Sequence, residues 1–310
     1  VTKGIFIGDI HLKERVLRRK DFYLDTISKK LSFIFDEAVY NSVDYVCFLG
    51  DIFDVPEASG LVRNTIISVL RKYQDIPVFV VVGNHDIFGG NLGSLERTTL
   101  GTLTKVGLVN IVDENDDFDI QFVHYQKIGD INASNRKIVA VHAYLLPEMN
   151  VPFDYIDIKT MKTQPRNKLF ISGHYHTGYD IVRRDDGVIF ACPGSLGRII
   201  VNDAERDNVF FAMVEYDDNN ITIEYMPVPA SPAEEIFDLS VYKIEKQEQE
   251  RIESFLNRLN VAKRYTSNNI YTDILAFIDK CASSYKIDQD VIEEAKRRIM
   301  AARSAMKEDY

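Results

Sequence analysis

No apolar run in this 310-residue chain is long enough to cross a bilayer, and its first residues lack the charged and apolar regions and the cleavage site of a secretory leader. The expected setting is therefore the cytoplasm, with no membrane partner. Cysteine is scarce: Cys47, Cys192 and Cys281 lie far apart, form no CxxC pair, and the first two sit in apolar strand-like text, which suits reduced core thiols and not a disulfide framework. Positive charge is in deficit as well. A net charge of −10 argues against a simple basic nucleic-acid binder, so a polyanionic substrate would have to be gripped locally, by clustered cations or by bound metal. Internal repeats and low-complexity tracts are missing. Histidine is also rare, with six in the chain, and where those six fall is the most informative feature of the sequence.

With 45% hydrophobic and 27% charged residues the composition is that of a globular protein with a substantial core. The first 110 residues alternate apolar strands ("KGIFIG", "DYVCFLG", "PVFVVVG") with helical text from about Phe22 to Asn41 and from about Glu57 to Tyr73. Near-continuous apolar strands, each followed by a helix, indicate parallel strands covered on both faces. From Leu108 to Met226 many short strands follow, and after "VPASPAEE" the text turns helical. The expected class is α/β, a layered α+β arrangement of two packed mixed sheets flanked by helices, with a small, mostly helical carboxyl-terminal region. The expected division is a main domain over 1–230, a reduced capping region over 231–265 and a helical pair over 266–310.

Polar residues of metal-ligand type stand where the apolar strands end: "GDIH" at 8–11, "GDIFD" at 50–54, "GNHD" at 83–86, "VHAYL" around His142 and "GHYH" at 173–176. In open α/β folds, groups at the carboxyl ends of strands converge on one crevice. Five of the six histidines, His11, His85, His142, His174 and His176, lie in these strand-end positions. Together with Asp9, Asp51 and Asn84 they offer a mixed oxygen and nitrogen set of seven ligands, leaving His85 over, which is too many for one ion and suits two. Mixed ligation fits borderline divalent ions. Mn²⁺ is the ion expected, with Mg²⁺, Fe²⁺ or Zn²⁺ as alternatives. Two such ions clamp the attacking and leaving oxygens of a phosphoryl displacement.

The five motifs D-x-H, G-D-x-x-D, G-N-H-D, H and G-H-x-H, in this order over roughly residues 4–178, resemble those of the calcineurin-like metallophosphoesterases. "GDIFDVPEA", "GNHDIF" and "CPGSLGR" are similar to the nuclease subunits of Mre11 and SbcD type, the T4-like phage recombination members included. The resemblance implies that Asp9, His11, Asp51 and His176 hold one ion and that Asp51, as bridge, with Asn84, His142 and His174 holds the other. It implies that His85 protonates the leaving 3′ oxygen, with Asp86 orienting its ring, and gives Asp54 no catalytic part. It implies a metal-dependent DNA exonuclease and endonuclease, DNA and a Rad50- or SbcC-like ATPase as partners, and a homodimer. A phosphatase or small-molecule phosphodiesterase of the same superfamily is the alternative activity.

Lesser candidates remain. Lys13, Arg15, Arg18, Arg19 and Lys20 follow the first ligand strand and could grip a phosphate backbone, or form a solvated loop and helix start. Ser195 lies in a turn able to offer backbone N–H groups to phosphate, or in an ordinary turn, and His124 could line the DNA groove or, as a lone histidine at an apolar strand end, hold a plain structural place. Arg183 and Arg184 read as surface residues of a hairpin, and Leu61, Thr65, Ile66 and Val69 as the core face of the second helix. In the tail, Ile270, Ile274, Phe277, Ile278 and Cys281 form an apolar stripe. Asp288 is a natural N-cap with Ile287 and Ile292 as a staple across it. Through the resemblance, residues 266–310 are the expected ATPase-binding segment.

Overall fold

The computed structural model describes residues 1–133, 135–147, 151, 153–199, 208–240, 251, 254, 278, 282 and 287–305. The chain opens with β1 (Thr2–Ile7), α1 (Tyr23–Tyr40), β2 (Tyr45–Phe48), α2 (Gly60–Lys72), β3 (Val78–Val80) and α3 (Thr99–Lys105). A strand-rich stretch follows: β4 (Glu114–Asn115), β5 (Ile120–Val123), β6 (Ile138–His142), β7 (Leu145–Leu146), β8 (Ile156–Asp157), β9 (Leu169–Gly173), β10 (Tyr179–Arg183), β11 (Ile189–Cys192), β12 (Val209–Tyr216) and β13 (Ile221–Val228). Two mixed sheets result, ordered β13-β12-β1-β2-β3 and β10-β11-β9-β6-β5-β4, with β7 and β8 paired separately. Within the first, β1, β2 and β3 run parallel; within the second, β5, β6, β9 and β11 do.

The period of two along each strand divides the core into layers. In β1, Ile5 and Ile7 face α1 and α2, where Leu31, Ile34, Phe35, Ile66 and Leu70 cover them. Phe6 faces the other way, with Tyr45, Cys47 and Phe79, onto Phe122, Ala140, Leu169 and Ile171 of the second sheet. Helices thus flank the first sheet, whereas the outer face of the second, Val139, Val141, Phe170 and Phe190, packs on Ile131, Leu145, Ile158 and Met161 from its connections. Cys47 and Cys192 are buried free thiols; Cys281 lies outside the described residues.

The buried stripe of α2 is Val62, Ile66, Val69 and Leu70. Ile66 and Val69 are therefore core residues as expected, whereas Leu61 is 59% exposed and the Thr65 hydroxyl donates to the Leu61 carbonyl on the outer side. The helix also starts later than Glu57, because the Ser59 side chain accepts from the Val62 N–H and sets its first turn. Arg184 is no free surface cation: its guanidinium donates to the Ile158 and Met161 carbonyls and pairs with Asp186.

The chain divides into compact units, Val1–Asp238 and Leu239–Tyr310. In the second, α4 (Gln289–Ala305) begins directly after Asp288, whose carbonyl accepts from the Val291 and Ile292 N–H groups. Ile287 packs against the buried cluster of Ile278, Ala282 and Ile292. Ile270, Ile274, Phe277 and Cys281 lie outside the described residues.

Candidate metal centre

The ligand-type residues sit where parallel strands of both sheets end. Asp9 and His11 follow β1, Asp51 follows β2, Asn84 and His85 follow β3, His142 closes β6, and His174 and His176 follow β9. The loops that carry them bond to one another. The Ile10 and His11 N–H groups donate to the Asp51 carbonyl, the His174 N–H to Asp9 Oδ1 at 2.9 Å and the His85 N–H to Asp51 Oδ1 at 2.8 Å. His11, Asp51 and His174 have φ of 49°, 48° and 79°, a left-handed backbone uncommon outside glycine and typical of sites held under constraint. Two glycines allow the close approach: a Cβ on Gly50 would run into the His142 ring, and one on Gly83 into Asp51.

The side chains converge closely. His142 Nδ1–H donates to the Leu49 carbonyl at 2.7 Å, which turns Nε2 toward Asp51 Oδ2 at 3.4 Å and Asn84 Oδ1 at 3.2 Å. His11 Nε2 and His176 Nε2 stand 3.0 Å apart, with Asp9 Oδ2 3.3 Å from the latter. Asp9 Oδ2 is buried with no hydrogen-bond partner. Opposed acceptors around an orphaned carboxylate oxygen are what cations would satisfy. Ligand atoms within 4.8 Å of one another form the groups Asp9, Asp51, His142, His174 and Asp9, His11, His176, with His11, Asp54 and His85 as a third group at the solvent edge. Asp51 Oδ2 faces a histidine of each, with His11 Nε2 3.7 Å away, as a bridging ligand would. The residues fit two ions.

Electrostatics point the same way. Burial pushes His11 and His174 down to about 4, so both imidazoles offer lone pairs at neutral pH. For Asp9, burial works upward, yet the closeness of His176 and the His142 and His11 charges prevail and hold the carboxyl below its usual range. Burial also opposes charge on His142, but Asp51, Asp9 and the Leu49 carbonyl raise it to about 9. A field that draws a proton so strongly draws a divalent cation too.

His85 stands beside the ligands, its ring 4.8 Å from that of His11, exposed to solvent. The expectation that Asp86 orients it is corrected: Asp86 is fully buried, and its oxygens accept from the Phe53 and Gly83 N–H groups, bracing the loop from below. The His85 ring is held by the Asp54 carbonyl, which accepts from Nδ1–H at 2.9 Å. The Asp54 carboxylate pairs with Lys13 Nζ at 2.9 Å and lies 3.6 Å from His11 Nδ1. Asp86 lies in the turn after β3, where its side chain is buried while that of His85 is exposed; the reach of the Asp54 carbonyl has no sequence signal.

The cation cluster separates into parts. Arg15 and Arg18 are exposed. Lys13 is paired with Asp54, Lys20 Nζ donates to the Glu234 carbonyl, and the Arg19 guanidinium is buried between Asp21, the Arg198 carbonyl and the Tyr23 and Phe237 rings. The "CPGSLGR" turn does not offer its amides outward: the Ser195 and Leu196 N–H groups donate to the His176 and Asp9 carbonyls, and the buried Ser195 hydroxyl donates to Gly197. It positions ligands.

Aromatic residues beside the motifs escaped the sequence reading. The Tyr144 ring lies 4.1 Å from that of His174, and Tyr125 lies 5.8 Å from His174 and 6.2 Å from His142. Burial first, then the Asp9 and Asp51 charges, raise the Tyr144 phenol. Tyr125 directly after His124 and Tyr144 two residues after His142 are the signal that could have found them.

His124 is buried, its Nδ1 accepting from the Val82 N–H at 3.0 Å, which ties the end of β5 to the strand that leads into Asn84. Burial pushes it down to about 4. Above pH ~6.5 it is neutral folded and unfolded; as pH falls toward 4 only the unfolded chain takes up the proton readily, so stability is lost through this window. The loss should reach about 3 kcal/mol. Urea unfolding in EDTA from pH 7 to 4.5 should show a steep slope for the native protein and a flatter one for His124→Gln; parallel slopes would refute this.

The sequence model of the calcineurin-like phosphoesterase family matches residues 3–178. Two curated relatives named DNA double-strand break repair protein Mre11 match as well. That of Archaeoglobus fulgidus is 24% identical over 66% of this chain and 52% of its own, and that of Saccharolobus solfataricus 27% identical over 62% and 53%. The chain spans about half the length of these relatives. Among solved structures, a dimetal phosphatase from Danio rerio is similar at 14% identity and a TM-score of 0.48, over 74% of this chain and 99% of that one.

Proposed function

The chain belongs to the calcineurin-like phosphoesterase family, and on that premise we propose that it is a metal-dependent DNA nuclease, the hydrolytic subunit of an Mre11–Rad50-like complex in recombination or repair. The observation that carries this reading is the full set of seven convergent ligands with a separate, solvent-facing histidine beside them; the names of the curated relatives favour DNA as the substrate. When bound, two divalent ions would polarise a phosphodiester and acidify a water. Asp9, His11, Asp51 and His176 would hold one, and Asp51, Asn84, His142 and His174 the other. His85, its Nδ1–H fixed on the Asp54 carbonyl, keeps Nε2 toward the substrate to carry a proton to the leaving oxygen.

The test is incubation with labelled linear single- and double-stranded DNA in Mn²⁺, Mg²⁺ or EDTA, beside bis-p-nitrophenyl phosphate. Metal-dependent shortening of DNA is expected, with Mn²⁺ the most effective and EDTA abolishing it. Hydrolysis of the small diester alone would make the protein a small-molecule phosphodiesterase.

Exposed Leu61 on α2 supports a homodimer through that helix. Residues 266–310 would bind the coiled-coil root of the ATPase. Deleting 268–310 should leave metal-dependent cleavage of short DNA intact and eliminate co-purification with the ATPase; unchanged ATPase affinity would place the contact elsewhere.

A further inference from the structure

The metal centre has two unlike flanks. On one, His85 and Asp54 adjoin His11. On the other, rings accumulate: Tyr144 lies against His174 at a 40° tilt, Phe153 lies 4.3 Å from Tyr144 at 30°, Tyr175 meets Tyr144 edge-on at 6.4 Å, and Tyr125 stands edge-on to both His142 and His174. Packing alone does not explain this wall. Tyr125, Tyr144 and Tyr175 are each only partly buried, and Phe153 is 38% exposed, so rings in contact with the His142 and His174 side keep surface open to solvent.

We propose that this wall, Tyr144 at its centre, is a nucleobase subsite that stacks an unpaired base of the nucleotide whose phosphate lies at the metal ions. The inference rests on the nuclease reading and adds how the strand is gripped. Aromatic platforms accept any base because every base presents a π-face, and they need the base out of its duplex stack. The charge distribution favours such a grip. The chain carries −10, and of the cations after β1, Lys13, Arg19 and Lys20 are committed to internal partners. Stacking supplies affinity that does not depend on phosphate contacts, so binding should weaken little with salt.

The chain has no tryptophan, so Tyr144→Trp introduces a single indole reporter in the wall. In EDTA, a short single-stranded oligonucleotide should quench its emission, and an oligonucleotide of equal length with abasic sites at the same positions should not. Equal quenching by both would overturn the proposal. In the Mn²⁺ reaction, the native protein should favour the base-bearing strand over the abasic one in kcat/KM by about ten-fold or more. Tyr144→Ala should bring that ratio close to one through KM, with both metal ions retained by elemental analysis. A ratio unchanged in Tyr144→Ala, or a loss of metal in that variant, would make Tyr144 a support for His174 and overturn the subsite. Base-dependent quenching with no DNA cleavage by the native protein would refute the nuclease reading while leaving the subsite standing.

Discussion

Asp51→Asn should abolish phosphodiester hydrolysis, by at least about a thousand-fold, and strip most of the bound metal, since clamping by two ions supplies several kcal/mol of transition-state stabilisation. Asp51 is the one carboxylate whose Oδ2 faces His142 at 3.4 Å and His11 at 3.7 Å, a histidine of each expected ion. Asparagine is the informative replacement. Asp51 has φ of 48°, which asparagine tolerates better than alanine, and an amide oxygen can still accept the His85 N–H now bonded to Oδ1. The fold should therefore survive while the bridging charge goes. Thermal melts with and without Mn²⁺ check this: metal should raise the midpoint of the native protein and raise that of the variant far less. Near-native activity in Asp51→Asn would show that the two-ion assignment is wrong.

Much of this centre was legible in the sequence for a simple reason. Apolar strands that end in glycine and then polar ligands write the same sentence several times, and parallel strands all end on the same side. Asp9, His11, Asp51, Asn84, His142, His174 and His176 meet as that rule requires. The layering was legible too, because Ile5 and Ile7 against Phe6 is a period of two readable by eye. What stayed hidden depends on backbone atoms and on chain curvature. The carbonyl of Asp54 that holds His85, and the Ser195 and Leu196 amides that hold His176 and Asp9, carry no residue-type signature. The fate of the cations was hidden for a related reason. Lys13, Arg19 and Lys20 look alike in sequence, and only the turn around Val16 and Arg18 decides which of them folds inward. On α2, Ile66 and Val69 are buried as the helical spacing predicts, while Val62 and Leu70 take the places on the apolar face that the spacing gives to Leu61 and Thr65.

Substituting His85 separates ligation from proton transfer. His85→Gln should keep both ions and lose about a hundred- to ten-thousand-fold in kcat, the contribution of a positioned general acid. The geometry supports the separation: His85 is tied to the site through its N–H on Asp51 and its Nδ1–H on the Asp54 carbonyl, neither of which uses Nε2. The tautomer that the Asp54 carbonyl enforces leaves Nε2 to take up and deliver the proton, and exposure lets solvent return it between turnovers. Glutamine preserves the backbone bond to Asp51 and an amide donor near the Asp54 carbonyl, but it cannot titrate. KM for DNA should change little in the variant. A diester with a p-nitrophenolate leaving group needs no proton, so its hydrolysis should fall far less than that of DNA. Equal losses on both substrates would assign His85 to charge stabilisation alone, and loss of metal would move it among the ligands and leave the leaving oxygen without its acid.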